Sequence, residues 1–225
     1  MTADSDKRIL NNYLVRSHPW HGISIGKKFP QVVTAYIEIV PNDTMKYELD
    51  KWSGILKVDR PQRFSNTVPA LYGLIPQTLC DEEVAQICRE KTPYKEIKGD
   101  DDPLDICVLA EKNAFHGDIL LNAVPIGGLR MIDGDEADDK IIAVLQGDPL
   151  YGTWKDINDA TPSILERLKH YFLTYKNIPE EGQKHEQEIT HVYNKEEAYD
   201  VIKRSHNDYL NKYRDINNQY KSLFP

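Results

Sequence analysis

Cysteine is scarce in these 225 residues, and the three present, Cys80, Cys88 and Cys107, are odd in number and lack paired-ligand spacing. A disulfide framework is thereby excluded, and reduced thiols in a cytoplasmic protein are expected. Basic charge is in deficit: 28 Lys and Arg against 36 Asp and Glu leave a net charge of −8. Nucleic acid and anionic membranes want the opposite balance, so neither is an expected partner. No apolar run approaches the roughly 18–20 residues of a membrane-spanning helix. The opening from Met1 to Arg8 is polar with no apolar stretch behind it, which argues against a secretory signal. Repeats, low-complexity tracts and Gly/Ser linkers are also lacking. One elaborated domain over residues 1–225 is therefore expected.

What is present is enough to build a core: 40% hydrophobic residues, with 13 Tyr and 3 Trp. The first seventeen residues suit a short amphipathic helix, with Ile9, Leu10, Tyr13 and Leu14 on one side. A rigid turn is expected at His18-Pro19-Trp20-His21-Gly22. Val32–Val40 is β-branched and aromatic, a strand pattern. Met45–Asp50 alternates, with Lys46, Glu48 and Asp50 opposite Met45, Tyr47 and Leu49. Lys51–Gly54 turns the chain and Ile55–Asp59 returns as the hairpin partner. Further strands are expected at Leu104–Leu109, Ile119–Ile126, Leu129–Ile132 and Ile141–Leu145. Thr161-Pro162 signals a helix over roughly residues 161–177. Asn194 starts another over roughly 195–220, with Glu197 as its capping-box partner. Its stripe of Tyr199, Ile202, His206, Tyr209, Tyr213, Ile216 and Tyr220 has heptad spacing. Strands in the middle and helices at the end predict a mainly β or α+β fold, an antiparallel barrel or sheet with appended helices.

Two short motifs carry little. Gly22–Lys28 is one residue short of a phosphate loop and has Lys28 where a Ser or Thr is needed. His18 and His21 have no acidic or Cys partner nearby, so a structural turn is the expectation.

The informative segment is Gly99-Asp100-Asp101-Asp102-Pro103-Leu104-Asp105. Its crowded carboxylates repel one another unless a cation holds them. Pro103 fixes the backbone in mid-cluster, and Asp105 opens the apolar strand Ile106-Cys107-Val108-Leu109. The calcium-loop pattern of glycine and terminal glutamate is missing, and hard oxygen ligands suit Mg²⁺ or Mn²⁺. A second cluster, Asp133, Asp135, Glu136, Asp138 and Asp139, forms the expected tip of a hairpin closed by Lys140. Lys46 and Glu48 share a strand face, Arg60 ends the next strand, and Tyr175-Lys176 ends a helix. Two carboxylate groups with scattered cations and phenols are what metal-assisted phosphoryl transfer needs. A hydrolase for nucleoside or sugar diphosphates would want an aromatic clamp, and none stands near the clusters. A non-catalytic cation-binding module would leave Lys46, Arg60, Lys140 and Lys176 unexplained.

These residues resemble the family I soluble inorganic pyrophosphatases. Asp100-x-Asp102-Pro103-Leu104-Asp105 matches that family's signature. Glu38, Lys46-Tyr47-Glu48, Gly54–Arg60, Tyr72-Gly73, Asp133, Asp138-x-Lys140 and Tyr175-Lys176 follow in its order, over roughly residues 30–180. The resemblance implies a closed five-stranded OB-type β-barrel with flanking α-helices, the barrel core over roughly residues 30–150. It implies Mg²⁺-dependent hydrolysis of pyrophosphate to two phosphates by a metal-activated water, with Mn²⁺ or Zn²⁺ as substitutes and Ca²⁺ inhibitory. A homo-oligomer is implied as well. Asp100, Asp105 and Asp138 would bind the activating ion, with Asp105 reaching a second. Asp133 and Asp138 would hold an ion arriving with substrate, and Glu48 another, with Glu38 in support. Asp102 would be the base, and Tyr72 would sit beside the nucleophile. Lys46, Arg60, Lys140, Tyr175 and Lys176 would contact phosphate oxygens. The chain departs from the common bacterial pattern at Val68, where a second tyrosine is usual, and at Gly134, where an acid is frequent. Cys80–Lys98 is an insertion, and the C-terminal helix is longer.

Overall fold

The computed structural model describes residues 16–176 and 187–215. The expected first helix lies almost wholly outside them, as do Ile216 and Tyr220. The elements in chain order are β1 (Val33–Ile39), β2 (Met45–Leu49), β3 (Leu56–Pro61), β4 (Leu71–Leu74), α1 (Glu82–Lys91), β5 (Lys98–Gly99) and β6 (Asp105–Leu109). They continue with β7 (Ile119–Asp133), β8 (Glu136–Ala137), β9 (Lys140–Leu145), α2 (Pro162–Thr174), β10 (Gln187–Asn194) and α3 (Lys195–Lys212).

Five strands close on themselves in the order β1-β4-β6-β9-β7, with β7 returning to β1. This ring answers to the closed five-stranded core that the resemblance implies. Its one parallel pair is β6 beside β9, where Asp105 is level with Lys140. Both faces of these strands are buried, which explains runs that are apolar throughout. Ile106, Val108, Ile141 and Ala143 join a core completed by Val84 and Ile87 of α1 and Val201 and Ile202 of α3. Cys107, Leu109, Ile142 and Val144 face the other way, against Leu168, Tyr171 and Phe172 of α2.

The expected break between Ile126 and Leu129 does not exist, and β7 runs unbroken for 15 residues. The register against β9 shifts between Pro125 and Gly127, so the apparent interruption is an irregularity within one strand. Strands β4 and β10 and helix α1 are additional to the expected elements, although Val84, Ala85, Ile87 and Cys88 of α1 have helical spacing. Val68, the departure from the family pattern, is 1% exposed and belongs to the α2 core, not to the polar cavity described below.

The supposed insertion folds as α1 and docks on α3. Its own N-cap residue, Asp81, makes no capping hydrogen bond. The carboxylate of Asp208 on α3 accepts instead from the amides of Asp81, Glu83 and Val84, at 3.1, 3.1 and 3.2 Å. At α3 itself, Asn194 accepts from the Glu197 amide at 3.1 Å, as expected. The reciprocal half of the capping box is not made, because the Glu197 carboxylate is taken by Arg130. The turn at His18–Gly22 is structural: Trp20 is 2% exposed and its Nε1 donates to the Thr78 carbonyl at 2.7 Å. All three cysteines are free and buried, and no helix among the described residues is long and apolar enough to cross a membrane.

Candidate active site

At the end of the ring where β6 and β9 begin lies a cavity of about 240 Å³. The acidic signature reaches it through backbone contacts with residues 80–81. The Cys80 amide donates to the Asp102 carbonyl at 2.8 Å, and the Asp101 amide donates to the Cys80 carbonyl at 3.0 Å. Only glycine allows this approach, since a Cβ on Gly99 would stand 2.2 Å from the Cys80 oxygen. The loop sorts its carboxylates. Asp101, at φ +61°, turns out to pair with Lys212, while Asp100, Asp102 and Asp105 line the cavity. Asp100 accepts from the Asp102 amide at 2.9 Å. Tyr72, from β4, donates to Asp105 at 2.6 Å.

The second cluster sorts in the same way. Asp133, Glu136 and Asp138 line the cavity. Asp135 faces Lys98 on the surface, and Asp139 turns inward to a buried Arg130. Extended backbone puts Asp138 and Lys140 on one side and Asp139 on the other. Lys140 bonds both Asp105 and Asp138, and Lys176 bonds Asp133. Tyr175 lines the cavity beside Lys176.

The hairpin β2–β3 covers a third side. Lys46 bonds Glu48 and, at 2.8 Å, Asp59. A register shift between Lys46 and Tyr47 bends the strand. The two-faced alternation expected here therefore fails at the cavity, which is lined by all four residues from Lys46 to Leu49. Glu38 on β1 ties the hairpin down by accepting from the Leu49 amide at 2.7 Å. Arg60 stands outside the lining: its guanidinium lies over the Tyr175 ring at 5.7 Å and donates to the Tyr175 carbonyl at 3.5 Å. Sequence reasoning missed Lys51, which reaches from the hairpin turn to bond Asp102 across the cavity mouth. It also missed Trp20, which lines the cavity from a distant turn. Neither has a local signal, because only tertiary contact brings either residue there.

Eight carboxyl groups and four ammonium groups line this one space. Burial, with Asp138 nearby, pushes Asp100 up to about 9. Burial raises Asp138 to about 6, opposed by Lys140, and Glu38 to about 8. Asp102 is raised by burial despite Lys51. Asp133 would also rise by burial, but bonds from Lys176 and Gln187 hold it below its ordinary value. Lys140 is kept firmly charged by Asp105 and Asp138 although burial opposes it. Desolvated carboxylates in excess of their counter-ions, all hard oxygen donors, fit Mg²⁺-type ions in kind. Among the described residues no three acidic, His or Cys groups close around a common point. The Lys140 ammonium sits between the Asp105 and Asp138 carboxylates instead.

The profile of the family described as inorganic pyrophosphatase matches residues 35–210. The inorganic pyrophosphatase of Chlamydia caviae is 53% identical over 199 residues, covering 87% of this chain and 92% of that protein. The soluble inorganic pyrophosphatase of Zea mays is 38% identical over 174 residues, covering 76% of this chain and 72% of the maize protein. Among solved structures, the inorganic pyrophosphatase of Thermus thermophilus superposes with a TM-score of 0.70 at 26% identity, covering 86% of this chain and 98% of that one. That of Helicobacter pylori gives 0.67 at 31% identity, covering 83% and 98%.

Proposed function

We propose a Mg²⁺-dependent reaction for this chain, which belongs to the inorganic pyrophosphatase family and is a hydrolase acting on pyrophosphate. The supporting observation is that carboxylates from both acidic segments meet Lys46, Lys140 and Lys176 in one cavity. Bound Mg²⁺ would supply a water acidified toward neutral pH and would neutralise phosphate charge. Asp100, Asp105 and Asp138 would hold the activating ion, with Asp105 shared by a second. Asp133 with Asp138, and Glu48, would hold further ions, with Glu38 in support.

The chain's own groups then have definite tasks. Asp102 takes the proton of the attacking water, and Tyr72 holds Asp105 in place beside it. Lys46, Lys140, Tyr175 and Lys176 orient the phosphate oxygens and stabilise charge on the leaving phosphate. Arg60 stands outside the lining and would contact the same oxygens only after leaving the Tyr175 ring and carbonyl. The product is two orthophosphates, and removal of pyrophosphate drives the biosynthetic reactions that release it. We assign the chain to the cytoplasm as a single-domain homo-oligomer with no nucleic-acid or membrane partner; its free, buried thiols support a reducing compartment. Mn²⁺ or Zn²⁺ would substitute for Mg²⁺.

Phosphate release from pyrophosphate, followed with and without Mg²⁺, tests the reading. Release that depends on Mg²⁺ and stops with chelator is expected. Full turnover in chelator would overturn the metal dependence.

A further inference from the structure

Directly behind Asp138 and Lys140 lies a buried cluster that touches no part of the cavity. Arg130 on β7 is fully buried, and its Nη1 stands 3.0 Å from Oδ2 of Asp139, which is 1% exposed. The same Asp139 oxygen accepts from the Tyr193 hydroxyl at 3.1 Å. The Arg130 guanidinium lies over the Tyr193 ring at 5.1 Å. Gly128 makes room for that ring, since a Cβ there would come within 2.3 Å of it. Finally, Arg130 Nη2 donates to Glu197 on α3 at 2.9 Å. Four side chains from β7, the β8–β9 turn, β10 and α3 thus converge on one point.

Such a cluster is a poor source of stability. Taking two charges out of water carries a desolvation cost that the attraction between them seldom exceeds. The bonding is also incomplete, because Arg130 Nε and Nη1 and Asp139 Oδ1 have no hydrogen-bond partner among the described residues, so Arg130 and Asp139 meet as an ion pair alone. What the cluster does supply is direction. Asp139 sits between two cavity residues in an extended segment, so anchoring its side chain fixes the rotation of the backbone about its own axis. That rotation sets where Asp138 and Lys140 point.

We propose that Arg130, Asp139, Tyr193 and Glu197 are positioning residues, through which β10 and α3 aim Asp138 and Lys140 into the cavity. This rests on the functional reading of those two residues given above. A misplacement of about 1 Å in a reacting site can cost on the order of 100-fold in rate, so small rotations of this turn suffice to matter.

The decisive variant replaces the cluster with apolar groups of similar volume: Arg130→Met, Asp139→Leu and Tyr193→Phe together. Glu197 keeps neighbours in His191 and Lys91, at 3.5 and 3.7 Å. The expected result is a folded protein with a melting temperature within about 5 °C of the parent. Its kcat should fall roughly 10- to 100-fold, while KM shifts by less than about threefold. Mg²⁺ binding to the substrate-free protein, measured by calorimetry, should weaken in parallel. A folded triple variant with parental kcat and Mg²⁺ affinity would overturn the proposal. Glu197→Gln keeps the shape and removes one charge at the edge of the cluster. It should lower kcat about threefold or more at unchanged melting temperature, and an unchanged kcat here overturns the proposal even where the triple variant does not fold. Asp138→Asn separates the two levels. If it is inactive while the cluster variants are fully active, only the positioning fails; if it is fully active, the site reading fails as well.

Discussion

Asp105 and Lys140 stand level on the two strands of the single parallel pair in the ring, with the ammonium bonded to the carboxylate. Residues thirty-five positions apart in sequence thus open their strands side by side. The loop before each strand delivers its carboxylates to the same cavity. Lys140 also bonds Asp138, so one buried cation joins the two acidic segments.

Asp105→Asn keeps the side-chain shape and removes the charge at this junction. Turnover should fall roughly a thousandfold or more, because the assigned metal chemistry depends on that charge. The measurement is steady-state phosphate release at saturating Mg²⁺. Near-parental activity would remove Asp105 from the metal set.

Asp102→Asn should cost less than Asp105→Asn and move the pH optimum upward, since the attacking water then ionises without a base. Lys51→Ala leaves the base but removes the cation that holds its pKa down. The acid limb of the pH–rate profile should therefore also move to higher pH. An unchanged profile in both variants would give Asp102 a structural role.

Calcium should bind at the same carboxylates and inhibit. It takes six to eight oxygens at about 2.3–2.6 Å, against an octahedron near 2.0–2.1 Å for Mg²⁺, and acidifies water less. Titrating Ca²⁺ into the Mg²⁺-supported reaction should give inhibition that excess Mg²⁺ relieves. Full turnover with Ca²⁺ alone would contradict the geometric reasoning.

Metal-free protein should lose stability as pH rises from about 4 to about 9. Asp138, Glu38 and Asp100 have folded values near 6, 8 and 9, all raised by burial. Between the unfolded and folded values the native state binds more protons than the unfolded state, so the sign is destabilising with increasing pH. Mg²⁺ bound only by the native state should reverse the loss, and do so most at alkaline pH. Melting temperatures across that range, with and without Mg²⁺, would show it; a flat metal-free profile would not fit.

Asp208→Ala removes the remote cap of α1. Three amide donors lose their acceptor, so about 1–2 kcal/mol of stability should go, read from denaturant unfolding. A loss well below this would mean that water replaces the carboxylate at little cost.

Where chemistry was written locally, the sequence alone determined it. Asp100 to Asp105 marked a crowded carboxylate segment at the head of a strand, and Asp100, Asp102 and Asp105 do line the cavity. The runs from Ile106 to Leu109 and from Ile141 to Leu145 announced strands, while burial on both faces came from the packing of the ring between helices. Asn194 announced the start of its helix through a cap that needs only its own first turn. Tertiary structure decided whatever depends on distant partners. The sorting of Asp101, Asp135 and Asp139 away from the cavity follows from Lys212, Lys98 and Arg130, none of which is a sequence neighbour of its acid. The capping box at Glu197 lost its second half to Arg130, a stronger charged partner. Lys51 entered the site only because the hairpin bends over the signature loop. Closure of the ring rests on β1 meeting β7, a pairing set by backbone hydrogen bonds, which carry no residue code.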